Sequence, residues 1–384
     1  MEINFQNAIE LLTAFQAFLF AVYLLTSGKK KNISNILIAL FLVILGLNVS
    51  HVYVDYFLEP AFPTLLILYK MTVFLMVPSL FLYIKSSISP DFKLEWFDAW
   101  HLLPFAVFNI ILIPDYYLEN LKETPVENEF HNLYTIFFFI GFYLQAFVYL
   151  IGGFMLLKRL KELYFENFSN TDMSRYHYLY TLNSLVIIVF ILSAIKNFIM
   201  YRVEGSIIDY ASHIVLFAIL IFFCWIIFKG LHSPELFVGF DVGHHTIKEM
   251  IEEEEVVTTN KKGGDISPEM IIQYSKMGDK VNMYMEDNKP YLNASLSLFD
   301  LAQNIDVPAK ELSIYINHYL NKHFFDFINE YRINKAKEIL KDPKKNDFTV
   351  LEILYDVGFN SKSSFNTAFK KYTGLTPTQF RKSD

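Results

Sequence analysis

The chain has 384 residues, of which 53% are apolar and only 19% charged, with a net charge of −7. An ordinary soluble domain carries about a quarter charged residues, so the composition argues against a wholly soluble enzyme or a disordered scaffold, and the acidic balance by itself argues against nucleic-acid binding. The one cysteine, Cys224, excludes an intramolecular disulfide framework and a cysteine-based zinc site.

The averages conceal a split near residue 230: residues 1–229 carry 14 Lys/Arg and 17 Asp/Glu, whereas residues 230–384 carry 19 and 23. In the apolar half, seven segments reach the roughly 20 residues needed to cross a hydrocarbon core: 7–27, 33–54, 62–84, 97–117, 133–157, 179–200 and 209–228. The fourth is the weakest, its apolar run being short and interrupted by Pro104. Pro78 in the third is tolerated only if a neighbouring helix satisfies the carbonyl it frees.

Lys29–Lys31, Lys85, Lys93, Lys158, Arg159, Lys161 and Arg175 fall in alternate connections, and the intervening ones are acidic. By the positive-inside rule the N-terminus is outside and the C-terminal half cytoplasmic. The first ten residues carry no positive charge, which is the reverse of a signal peptide. Three ionisable groups interrupt the spans, Glu10, Lys70 and Lys196. Intramembrane charge is costly, which makes them candidates for a signal site; snorkelling or mutual pairing is the plainer reading.

Residues 230–267 include an acidic run at 249–255 and Gly263–Gly264 and read as a flexible linker. His244–His245 lack a second ligand pair, so no metal site is expected. Ser267–Pro268 opens a connecting helix over 268–289. Its Ile271, Ile272, Met277, Val281 and Tyr284 form a ragged apolar face, a candidate dimer contact.

From residue 290 the chain reads as short amphipathic helices with sharp turns. Ser297 and Asp300 have capping-box spacing. Leu298, Leu301 and Ala302 precede a turn at Ile305–Val307, after which Leu312 and Ile316 face inward: a helix-turn-helix. The pattern recurs with Val350, Ile353 and Leu354, a turn at Gly358–Phe359, then Phe365 and Phe369. Between the copies lies a helix over about 324–341, a strut roughly 27 Å long, suited to hold two recognition helices near the ~34 Å major-groove repeat.

The stretches LFDLAQNIDVPAKELSIYIN, FFDFINEYRINKAKEIL and VLEILYDVGFNSKSSFNTAFKKYTGLTPTQFRK together resemble the AraC/XylS family of bacterial regulators over about residues 290–382. PSLFLYIKS (78–86) and FKGLHSPELF (228–237) look like the membrane-integral, seven-span members of that family. The resemblance implies transcription control by a DNA-binding domain fixed to the inner membrane, with dimerisation common.

By match to the family's recognition helices, the base-facing positions are Lys310, Ser313 and Ile314, then Lys362, Ser363 and Thr367, with Asn317 and Asn366 placed for base edges or phosphate. Ile314 and Thr367 stand where many members have Arg, and Glu311 adds negative charge, so the second motif is expected to carry most of the affinity. Gly358 to Lys382 contains Lys362, Lys370, Lys371, Arg381 and Lys382 without a single acid, a phosphate-facing stripe. Gly358 and Phe359 are structural, forming the turn.

No phosphate-loop, dinucleotide, nucleophile-elbow or zinc-protease motif occurs, so neither catalysis nor a cofactor or metal is expected. The expectation is all-α: a seven-helix transmembrane bundle (1–229), a linker (230–267), a connecting helix (268–289) and a double helix-turn-helix domain (290–384). Its partners would be double-stranded DNA, the bilayer, a second copy of the chain and an unidentified small-molecule or protein signal. The rival readings are a receptor or transporter whose tail binds a protein, and a membrane-stored factor released by proteolysis in the linker.

Overall fold

A computed structural model describes residues 5–26, 32–88, 92–112, 130–169, 173–202, 206–237, 268–345 and 347–383. The architecture is all-α; among the described residues the only β pairing is one isolated antiparallel bridge, Phe168 to Ser297. The chain divides into two compact units: residues 1–158 with 174–247, and residues 159–173 with 248–384. The acidic run, His244–His245 and Lys29–Lys31 lie outside the described residues.

The first unit contains α1 (Phe5–Thr26), α2 (Ile33–Val49), α3 (His51–Leu58), α4 (Pro63–Met71), α5 (Val73–Ile88), α6 (Leu103–Leu112, entered through a 3-10 turn at Trp96–Leu102), most of α7 (Phe130–Asn167), α8 (Ser174–Arg202) and α9 (Ser206–His232). Among the described residues five helical stretches are long and apolar enough to cross a membrane, α4 and α5 together forming one of them (Thr64–Ile88), and six if α2 and α3 count as one span. The expected second segment is not continuous, because α2 and α3 bend by 74° at Ser50. Ser50 Oγ donates to the carbonyls of Gly46 and Leu47, both at 3.1 Å. That back-bonding competes with the helix ladder and bends it. The fourth segment is a short apolar helix, Trp96–Ile111, and its expected end at 113–117 lies outside the described residues.

Small residues let helices approach closely where lipid supplies no hydrophobic drive. A Cβ on Gly46 would meet that of Ala17 at 2.7 Å, and Ala14, Ala17 and Ala21 line the same buried stripe of α1. Pro78 sits inside α5 and cannot donate to the carbonyl of Phe74. Gln145 of α7 fills the gap, its Nε2 donating to Phe74 O at 2.9 Å. Phe74 is also the centre of an aromatic cluster with Phe108, Phe138 and Phe142.

The second unit holds α10 (Pro268–Asn288), α11 (Leu298–Asn304), α12 (Ala309–Ile314, running into a π turn at Tyr315–Tyr319), α13 (Phe324–Lys341), α14 (Val350–Asp356), α15 (Lys362–Thr373) and α16 (Pro377–Lys382). It has two cores. The first joins Tyr274, Met277, Val281 and Met285 of α10 to Leu298, Leu301, Leu312 and Ile316 and to the front of α13. The second joins Ile333, Ala336, Ile339 and Leu340, at the back of α13, to Ile353, Leu354, Phe365 and Phe369. Burying each Leu, Ile, Val, Phe or Met among them stabilises by about 1.5–3 kcal/mol. The apolar face of α10 thus packs into the first motif.

Capping fixes where the short helices start. Capping boxes pair Ser297 with Asp300, Thr349 with Glu352 and Thr376 with Gln379, the last with Pro377 at the first helical position. The amide of Thr349, bonded to the Glu352 carboxylate, holds that carboxyl below its usual range.

Candidate nucleic-acid interface

The two motifs share one turn geometry. Asp306 and Gly358 both take positive φ, 50° and 91°. In each copy the next residue's amide reaches back five positions, Val307 N to Ala302 O and Phe359 N to Leu354 O. Asp is among the few side chains that adopt this conformation. Gly358 has a further constraint: an added Cβ would lie 2.6 Å from Tyr291 O and 2.8 Å from Leu292 O. The backbone of the second turn therefore abuts the entry to the first motif, and only glycine leaves room.

After each turn comes the helix that sequence matching assigns to DNA. In the first motif Lys310 and Ser313 are half-buried, and Ile314 packs against the first core. Asn317 Nδ2 donates to Ser313 Oγ at 3.2 Å. Ile314 and Asn317 are thus partly committed within the fold. In the second motif Lys362, Ser363 and Thr367 are exposed along α15, and Asn366 is half-buried. Ser361 caps α15, its Oγ accepting from the Ser364 amide at 3.2 Å. Phe365 and Phe369, both fully buried, fix which face turns outward.

The basic stripe divides in two. Lys362 and Lys370 are exposed. Lys371 Nζ bonds Asp326 Oδ1 on α13 at 2.6 Å, and Arg381 Nη2 donates to Phe348 O at 2.7 Å. Tyr372 also donates to the Asp326 carbonyl, and burial first, with the nearby Asp326 second, pushes its phenol pKa up. Lys371 and Arg381 therefore stitch the second motif together.

Sequence spacing missed the group at the centre of the unit. Arg332 of α13 lies between the two cores, fully buried. Its Nε donates to Tyr291 O (2.7 Å), Nη1 to Ser169 O (2.8 Å) and Asn329 Oδ1 (3.4 Å), and Nη2 to Ser169 Oγ (2.9 Å) and Asn293 O (2.8 Å). All five guanidinium donors are used, as a buried charge demands. Burial lowers its pKa to about 10, so it remains charged at neutral pH. Its guanidinium also lies 5.5 Å from the centre of the Phe359 ring, in the second turn. One signal in the sequence points to it: 324, 328, 332, 336 and 340 form an i+4 ridge, and Arg332 is its only charged member.

Among the described residues, the candidate signal residues of the first unit each have their own surroundings. Glu10 is buried and accepts from Gln6 Nε2 at 3.0 Å, with its second carboxylate oxygen unpartnered. Lys70 lies 3.5 Å from Asp55. Lys196 is half-buried, and no ion pair joins any two of the three among the described residues.

Residues 301–383 match the family described as "Helix-turn-helix domain". Among curated proteins, the chain is 33% identical over 87 residues to the uncharacterized HTH-type transcriptional regulator YdeC of Bacillus subtilis, covering 23% of this chain and 29% of that one. It is 36% identical over 100 residues, 26% of this chain and 55% of the other, to an uncharacterized HTH-type transcriptional regulator in the cgkA 5' region of Pseudoalteromonas carrageenovora. A Staphylococcus aureus (strain COL) HTH-type transcriptional regulator is 33% identical over 103 residues, 27% of this chain and 13% of its own. The matches thus span between 13% and 55% of these relatives' own length. No solved structure matches.

Proposed function

From a chain whose C-terminal part is an AraC-type helix-turn-helix domain and whose front part is a set of apolar helices, we propose a membrane-bound one-component transcriptional regulator. The reading divides the chain into a transmembrane sensor region (1–229), a linker (230–267), a connecting helix (268–289) and a DNA-binding domain (290–384). The apolar helices anchor the protein in a bacterial inner membrane with the N-terminus outside, and the domain after residue 268 reads promoter DNA from the cytoplasm. The observation that carries it is the coexistence, among the described residues of one chain, of five membrane-length apolar stretches with two helix-turn-helix motifs on a shared strut.

In this reading α15 is the principal reading helix. Lys362, Ser363 and Thr367 face the base edges, where Lys suits guanine O6/N7 and Ser either base. Asn366 and Lys370 contact base edge or phosphate. The first motif contributes Lys310 and Ser313, with Ile314 and Asn317 acting through shape, and Lys371 and Arg381 supply positive field from internally bonded positions. Glu10, Lys70 and Lys196 are the candidate points of signal reception, and a second copy of the chain is the expected partner on DNA.

The test is genome-wide occupancy of the tagged full-length protein, crosslinked in cells beside a Gly358→Val control. A few sharp peaks lost in the control are expected. A profile indistinguishable from the control under every growth condition would sink the reading.

A further inference from the structure

The last residues of α7 belong to the second unit, and they are built into it. Phe165 meets the Phe325 ring edge-on at 4.9 Å. Phe168 forms the antiparallel bridge with Ser297, the cap of α11. Ser169, fully buried, donates from both its amide (3.1 Å) and its Oγ (2.7 Å) to Leu296 O, and accepts two bonds from Arg332. The same Arg332 holds the entry to the first motif through Tyr291 O and Asn293 O, and lies over Phe359 of the second. Three segments remote in sequence therefore converge on one guanidinium: the α7 end, the start of the first motif and the second turn.

We propose that the seam between the two helix-turn-helix motifs is a docking site for the chain's own segment Phe165–Ser169, and that docking there holds the motifs in the DNA-binding arrangement. The inference rests on the regulator reading above and gives it a point of control. α7 is one uninterrupted helix of 38 residues, about 57 Å at 1.5 Å per residue, whose front portion lies in the first unit. A displacement of that helix in the first unit reaches Arg332 without passing through the 230–267 linker. Undocking would leave two of five donors of a buried cation without acceptors, a state that favours rearrangement of the seam. Coupling then needs only two states of one contact, docked and undocked, with different DNA affinity.

The experiment uses the full chain in lipid nanodiscs, in a Cys224→Ser background, with sheared genomic DNA of the source organism as probe and sequencing of what is retained. Ser169→Ala removes the hydroxyl contacts. Phe168→Cys with Ser297→Cys places a cysteine pair across the bridge, where Cα atoms lie about 4.5–5.5 Å apart, within disulfide reach. Ser169→Ala is expected to lower specific recovery at least fivefold. Oxidising the cysteine pair in the Ser169→Ala chain is expected to restore it to within twofold of the parent, and reduction to abolish the rescue. Failure of the linked peptide to form under oxidant, seen by mass spectrometry, overturns the docking. A linked peptide without rescue, or unchanged recovery in Ser169→Ala, overturns the control of DNA binding. If the linked peptide forms but even the parent enriches no sequence, it is the regulator reading that has failed, and the inference falls with it.

Discussion

Replacing Gly358 by alanine adds one methyl group, and its cost can be worked from two sources. The backbone at φ 91° lies where L side chains are strained, which costs about 1–3 kcal/mol. The new Cβ would also stand 2.6 Å from Tyr291 O and 2.8 Å from Leu292 O, both main-chain atoms. Relief requires Tyr291 O to retreat, and that oxygen accepts from Arg332 Nε at 2.7 Å. Weakening a hydrogen bond from a charged donor adds about 1.5–3 kcal/mol. The total is about 2.5–6 kcal/mol, a large share of a stability of about 5–15 kcal/mol. Gly374 supplies the internal control, since its φ is 75° but nothing lies within 4 Å of its added Cβ. All three tryptophans lie before residue 230, so tryptophan fluorescence does not report on this unit. Amide hydrogen exchange by mass spectrometry does, and it converts opening free energy into rate at about tenfold per 1.4 kcal/mol. Peptides over 350–373 are expected to exchange at least about fiftyfold faster in Gly358→Ala, and at least about tenfold more slowly than that in Gly374→Ala, which shares the positive φ but not the collision. Equal exchange in the two variants would refute the collision argument.

Lys362→Ala should weaken specific DNA binding by about 1–3 kcal/mol, and Lys310→Ala by less; a mobility-shift titration giving the reverse order would move the reading helix to the first motif. Lys371→Ala should loosen the second motif, through loss of its bond to Asp326, more than it flattens the salt dependence of binding; salt titration and hydrogen exchange on the same variant separate the two. Thr349→Ala should destabilise α14 by about 0.5–2 kcal/mol, read as faster exchange over 350–357. Because Glu352 has a lowered carboxyl pKa when folded, its contribution is present at neutral pH and fades as pH falls below its ordinary value of 4.5. An acid melt in which Glu352→Gln and the parent keep a constant gap down to strong acid would count against that contribution.

The two helix-turn-helix copies were legible because their determinants are local: apolar spacing of three and four, a box residue three positions after each cap, and a turn that selects Gly or Asp. Pro78 was legible as a problem whose solution, Gln145, was not, because the donor lies 67 residues further along. The same limit explains the rest. Lys371 and Arg381 read as members of a basic stripe, and their bonds to Asp326 and Phe348 O have no local mark because the fold brings those partners from 45 and 33 positions away. Ser50 looks like an ordinary small residue in an apolar run, yet its hydroxyl competes for two carbonyls and turns the helix. Arg332 was visible as a charge on an apolar ridge, but Ser169, 163 positions away, has no local mark at all.

The strut α13 spans 18 residues without a break and is clamped at both ends by separate cores. A ruler of fixed length imposes a grammar on whatever duplex it reads. A target can drift by exchanging one base for another within either half, and the protein can follow with one side chain at a time. It cannot drift by insertion: about five added base pairs would rotate one half to the far side of the duplex, and no side-chain change on either motif would recover it. Sites for such a protein would diverge in letters while keeping their phase.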